Sequence, residues 1–477
     1  MSQMNNLTGK QLKVINIGLS DFCNGIKQEG GSVEHCEWTP PCSGDTRLTD
    51  LLFQCELHAD EIDAANKKAV DIIMAGQPVL KAVRPAGEVV PGMGYKTIFH
   101  AGPPVDFDDM CGPMQGAVTG AMIYEGWADD EETCLQMIHN GEITFDCNHH
   151  HSSVGPMTGI ITEHMPVFVV ENETYGNQAY CTINEGIGQV MRFGANGPDV
   201  LKRLKWIETV LAPVLDEAIK KAGGINLKNI MAQALAMGDE MHQRNTAASL
   251  LFYKNLCGEL AEVIKDNPDA KDITEFLVKK NDQFFLNLAM PSGKCITDPA
   301  RNIPMSTVVT CMSRNGVDFG INVSFSGDKW YTAPVEMPVG LYFPGFSEKD
   351  VNGDMGDSAI TECIGIGGCA MGCSPAVVNF VGAGSVSKAM EYTRSMGKIT
   401  VAKNYNLPMP NMNFEGVPNG FDIRKIVETG IRPVINTGMA HKKAGIGQVG
   451  AGIANPPMEI FKEALEYFVA TQIRGNE

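Results

Sequence analysis

Between Cys363 and Ser387 the chain runs for 25 residues without a charged side chain. That length meets the criterion for a membrane span, so this segment decides between a bilayer and a protein interior. It holds six glycines, Pro375 and Asn379, and it starts directly after Glu362. Glycine and proline in that density break a spanning helix, so the run is expected to be a buried glycine-rich turn followed by a core helix. The first residues show no apolar signal-peptide core. A soluble, cytoplasmic protein is therefore expected.

Much of the chain's glycine, 51 of 477 residues, falls in short runs that imply tight turns and close backbone approach. The net charge of −18 repels phosphate backbones and anionic lipid, which argues against nucleic acid or a membrane surface as partner. A small anionic substrate would have to be held by local donors against that field. The 14 cysteines include no CxxC pair, so they are read as free thiols rather than a zinc ribbon or a disulfide frame.

The fold class expected is α+β or mixed α/β, in several parts. Residues 1–95 read as an N-terminal α/β layer: a strand at Lys13–Gly18, a short helical stretch, a strand at Ser32–Trp38 and a helix near Ala59–Met74. Residues 96–197 and 305–477 form a glycine-rich α+β core. Between them, 198–304 carries apolar residues at three- and four-residue spacing and is expected to be a small helical subdomain. STVVTCM and VDFGINVSF, joined through Arg314, Asn315 and Gly316, predict a hairpin, and Met458–Gln472 a final helix.

Four polar clusters could carry chemistry. In Gly238–Asn245, a helix would place Asp239 and His242 on one face, letting the carboxylate orient the imidazole as a general acid or base. Arg244 and Asn245 follow as substrate contacts. The Cys147–Ser153 run, with His149, His150 and His151, could ligate a metal, but adjacent side chains diverge, so a polar pocket-lining loop is the preferred reading and no metal is expected.

In the third cluster, Asp357 or Ser358 could cap a short helix, while Gly367 and Gly368 could form a backbone nest around an anion. A packed glycine turn is the equal alternative. Fourth, the apolar strand end at Pro433–Lys442 would deliver Asn436, Thr437, His441 and Lys442. The literal GxGxxG at Gly445–Gly450 has too little chain after it for a dinucleotide fold, and no cofactor is expected. Arg314 and Asn315 are further anion candidates, with Arg192 and His100 as secondary ones.

The strings VINIG, WTPP, HAGPP, MCGPMQGAVTGA, TYGNQAY, MAQALAMGDEMHQRN, STVVTCMSRNGVDFG, GDSAITECIGIGG and PVINTGMAHKKAGIGQVGAGI together resemble the YlbE/YahG-like family. Members linked to FdrA look like one subunit of a three-protein oxamate carbamoyltransferase of allantoin and purine breakdown. The resemblance implies transfer of a carbamoyl group between oxalurate and phosphate, with an FdrA-like partner, another companion subunit and an oligomeric assembly. On that chemistry His242, oriented by Asp239, is the first choice for proton delivery and His441 the second. A non-catalytic scaffold subunit and a CoA-linked acyl-transfer protein are the alternatives. The Ser-x-Arg-Thr and His-Pro-x-Gln segments of aspartate and ornithine carbamoyltransferases are absent.

Overall fold

The computed structural model describes residues 13–476 except 37, 39 and 383. It is a mixed α/β chain whose strands fall into several small sheets rather than one large one. The N-terminal strands Lys13–Ile17 and Ser32–Cys36 pair in parallel across the short helix Phe22–Gln28, as the apolar strand pattern predicts. A helix at Ala59–Ala75 leads into a four-stranded antiparallel sheet. There Pro78–Pro85 lies between Pro166–Asn172 and the two-residue strand Ile225–Asn226, with Gln178–Thr182 outside.

The hairpin appears where sequence places it. Val309–Asn315 pairs antiparallel with Asp318–Val323, and the turn falls at Gly316, whose φ of +84° suits glycine. Arg314 and Asn315 are thus strand residues, not turn residues. Met355–Gly356 adds to the outer edge of Val309–Asn315. Ile435–Ala440 and Gln448–Ala454 form a second hairpin, joined by Val339–Tyr342. The GxGxxG letters therefore end inside an antiparallel strand, which confirms that they form no strand-to-helix phosphate turn.

The helix Leu286–Thr297 is buried at every residue. Its polar members are met inside the fold: Lys294 Nζ donates to His149 O and pairs with Asp298, and Asn287 Nδ2 donates to Thr182 O. Leu288, Ala289, Cys295 and Ile296 feed one large apolar core, and Leu286 and Met290 feed the other. The first core joins Ala69–Val83, the helices of 207–303 and Ile364–Val417. Of the uncharged 363–387 run, residues 363–374 are buried and include a 3-10 stretch, Gly367–Cys373. The short helix Pro375–Phe380 that follows buries only Val377 and Val378 and exposes its other face, so the expected core helix lies at the surface. Among the described residues, no helix is long and apolar enough to cross a membrane.

Candidate functional site

The predicted Asp239–His242 pair does not form. Gly238 and Met241 take positive φ values of 89° and 61°, so the chain turns here instead of continuing the helix Leu227–Ala236. Glu240 fastens that turn: its Oε1 accepts N–H groups from Gln243 and Arg244, both at 2.6 Å. Asp239 is carried to the start of the next helix, Thr246–Ile264, where Oδ2 accepts the Ala248 N–H at 2.8 Å and Oδ1 pairs with Arg244. Burial pushes its carboxyl up to about 6 in spite of those donors.

The partner of His242 is Glu362. Imidazole Nδ1 donates to its carboxylate, 2.8 and 3.0 Å from the two oxygens. Glu362 also accepts from Gly368 N at 3.0 Å and from Thr361 Oγ1 at 3.0 Å. Of the predicted glycine nest only the Gly368 N–H meets an anion, and that anion is the protein's own Glu362. Gly367 N donates to Glu240 O, and a Cβ on Gly368 would overlap the Val434 carbonyl. Asn436 Nδ2 reaches Glu240 Oε2 at 3.0 Å, while Asn436 Oδ1 and Asn245 Oδ1 are buried without hydrogen-bond partners among the described residues. Burial also raises the Glu240 carboxyl.

On the neighbouring side of the same strand, Thr437 joins a second buried group. Arg314 is fully enclosed, and its guanidinium donates to both Asp354 oxygens, to Gly356 O, to Ser358 Oγ and to Thr437 Oγ1. Its donors are spent inside the fold, which removes it as an open anion clamp. Asn315 is equally committed: Oδ1 accepts from Val317 N and Asp318 N, closing the hairpin turn, and Nδ2 donates to Pro103 O.

Asp357 does not cap a helix. Its carboxylate accepts from Gly102 N, Gly155 N, Asn148 Nδ2 and, at 2.5 Å, Ser313 Oγ. His149 Nε2 completes this shell at 3.2 Å. Burial works to raise the Asp357 carboxyl, but His149 and the other donors outweigh it and hold it below the ordinary range. His149 and His100 are lowered by burial. The three histidines thus separate: His149 faces Asp357, whereas His150 and His151 both bind Asp146. His150 Nε2 also accepts from Trp330 Nε1 and His151 Nδ1 donates to Pro91 O, while Asp146, Cys147 and His150 bring ligand atoms within 4.8 Å of one another, close enough to share a metal ion.

His441 stands apart from this network. It lies roughly 16 Å along the strand from Asn436, five residues at about 3.3 Å each. Its Nδ1 accepts from Lys443 N and its ring packs edge-on to Phe346. Lys442 is exposed in the following loop.

A pocket opens beside the buried groups, lined by Tyr124, Thr158, Gly159, Asn184, Glu185 and Arg192, with an apolar wall that includes Ile160 and Leu204. Gly159 ties it to Asp357, because Asn148 Nδ2 donates both to Gly159 O and to Asp357. Asn184 ties it to the His242 turn: its Nδ2 donates to Gln283 O, and Gln283 Nε2 donates to Gln243 O. Arg192 was only a secondary candidate in sequence. Glu362, Glu240, Asp354 and His149 acquire their partners across 40 to 208 residues of chain, which no local motif displays. Glu362 did leave one signal: an acid abutting an uncharged, buried run needs a buried partner.

The family model of the oxamate carbamoyltransferase subunit AllG matches residues 143–358. Oxamate carbamoyltransferase subunit AllG of Escherichia coli (strain K12) is 48% identical over 404 residues, covering 84% of this chain and 96% of that protein. The uncharacterized protein YahG of the same organism is 42% identical over 467 residues, 98% of each chain. A crystal structure of a conserved protein of unknown function from Enterococcus faecalis V583 superposes with a TM-score of 0.85 at 43% identity, covering 86% of this chain and 98% of that one.

Proposed function

Since the chain belongs to the AllG/YahG family, we propose that it serves as a subunit of an oxamate carbamoyltransferase. The observation that carries this reading is the 48% identity to AllG over 96% of that protein's length. The reaction moves the carbamoyl group of oxalurate to phosphate. A phosphate oxygen bonds to the carbamoyl carbon, the carbon–nitrogen bond to the oxamate moiety breaks, and the departing nitrogen takes a proton. Carbamoyl phosphate and oxamate result.

His242 is the proton donor in this reading, with Glu362 in the orienting role that sequence gave to Asp239. Glu362 fixes Nδ1, and Nε2 has no hydrogen-bond partner among the described residues. A carboxylate on one ring nitrogen sets the tautomer and supports charge on the other. The companion subunits are an FdrA-like protein and one further chain, and the assembly works in the cytoplasm.

Arg314 is closed on Asp354, Arg244 Nη1 is paired with Asp239 and the Gly368 N–H is taken by Glu362, which favours a second reading, in which this chain is a scaffold and a partner holds the catalytic groups. The two are separated by assaying oxamate-dependent carbamoyl transfer in a complex reconstituted from all three chains. Loss of turnover in His242→Gln, with the melting midpoint kept, supports the catalytic role. Unchanged turnover assigns the chain to the scaffold. A fully assembled complex without any transfer would sink the oxamate reading itself.

A further inference from the structure

Arg192 differs from the cations that sequence singled out. Its Nη2 donates to Gly186 O at 2.8 Å and the guanidinium lies over the Phe193 ring, but Nη1 is buried and has no hydrogen-bond partner among the described residues. Thr158 Oγ1 is in the same condition: the residue is 1% exposed and the hydroxyl is unpaired. The Thr158 N–H donates to Arg192 O at 3.2 Å, so the two residues are held together by backbone, and both line the pocket beside Asp357. A guanidinium nitrogen and a hydroxyl buried without acceptors each cost stability, and a ligand that supplies the acceptors recovers it.

The size and charge of the pocket narrow the ligand. About 30 Å³ of it can hold the centre of a water molecule, room for a small group and too little for a nucleotide. Glu185 also faces this region, but its carboxylate is engaged by the N–H groups of Met191 and Arg192. The free donors are thus one guanidinium nitrogen and one hydroxyl, set against Ile160, Met165 and Leu204. A carboxylate, with one charge and two oxygens, matches that set. Phosphate would bury further oxygens against carbon with no donor to meet them.

We propose that this pocket binds the carboxylate of a small oxamate-type monoanion, held by Arg192 Nη1 and Thr158 Oγ1. The choice of oxamate rests on the carbamoyltransferase reading; the choice of a carboxylate rests on the pocket alone. The test is calorimetric titration of the purified full chain with oxamate, oxalurate, pyruvate and inorganic phosphate, in the parent and in Arg192→Met and Thr158→Val. Oxamate should bind the parent and weaken by on the order of 10- to 100-fold in Arg192→Met, the loss of a hydrogen bond to a charged group. Thr158→Val keeps the side-chain shape, carries the test where Arg192→Met does not fold, and should weaken binding roughly fivefold. Binding of pyruvate but not oxamate, lost in the same variants, supports the carboxylate site and overturns its oxamate identity. Equal oxamate affinity in parent and variants, preference for phosphate, or no binding of any of the four overturns the site.

Discussion

Replacing Arg314 by methionine keeps the apolar stem and deletes a guanidinium that makes five hydrogen bonds at zero exposure. Asp354, also fully enclosed, would then keep only the Thr437 hydroxyl at 2.7 Å. Removing one member of a buried pair costs about 3–5 kcal/mol, because the other charge stays out of water uncompensated. Taking about 4 kcal/mol, the folding equilibrium shifts by on the order of a thousandfold, a large share of the roughly 5–15 kcal/mol typical of a folded protein. Asp354→Ala strands the guanidinium in turn and costs a similar amount.

The double variant removes both charges and leaves mainly the acceptors at Gly356 and Ser358 unmet, about 1–3 kcal/mol. Its cost should therefore fall well short of the sum of the two single losses, with a coupling of several kcal/mol. Urea midpoints read by circular dichroism and by tryptophan fluorescence measure this, provided the slopes stay constant. Additive losses, or a cost below about 1 kcal/mol for Arg314→Met, would refute the closed-pair reasoning and return Arg314 to the substrate.

Gly368→Ala should unfold or fail to accumulate, because its Cβ would overlap the Val434 carbonyl oxygen. Gly397→Ala, in the helix Val386–Lys398 with nothing near the added carbon, should gain about 0.5–1 kcal/mol; melting midpoints compare the two. Asp357 has a depressed carboxyl, so its stabilisation is full above the unfolded value near about 3.9 and is lost as pH falls through the folded one. Asp357→Asn should therefore be less stable than the parent at pH 7, and the two should converge in acid denaturation curves. Glu240 has a raised carboxyl, so stability is full below its unfolded pKa and declines as pH rises through the folded one. Glu240→Gln, which cannot ionise, should gain on the parent as pH rises above about 4.3; a constant gap in urea midpoints would count against it.

Period and punctuation made part of this protein legible in its letters. Short apolar, β-rich runs placed strands near Lys13–Gly18, in the hairpin around Arg314–Gly316 and at the 433–442 strand end, because strand preference is set largely by local residue type. Glycine and proline separated the 363–387 run, buried only over 363–374, from a membrane span, and the motif strings carried the family. Sequence also named nearly all the polar segments that meet inside, His242, Asp357, Gly367 and Asn436 among them. Their pairing was another matter. A carboxylate's partner is settled by which surfaces pack, and His242 meets Glu362 across 120 residues while Asp239, three residues away, turns to Ala248 and Arg244. Whether a cation is spent or available is likewise a property of its burial and neighbours. Arg314 and Arg192 look alike as letters; packing closes the first on Asp354 and leaves the second, at the wall of a pocket, with a buried nitrogen that has no hydrogen-bond partner among the described residues, because a donor's worth depends on the acceptors that the fold brings to it.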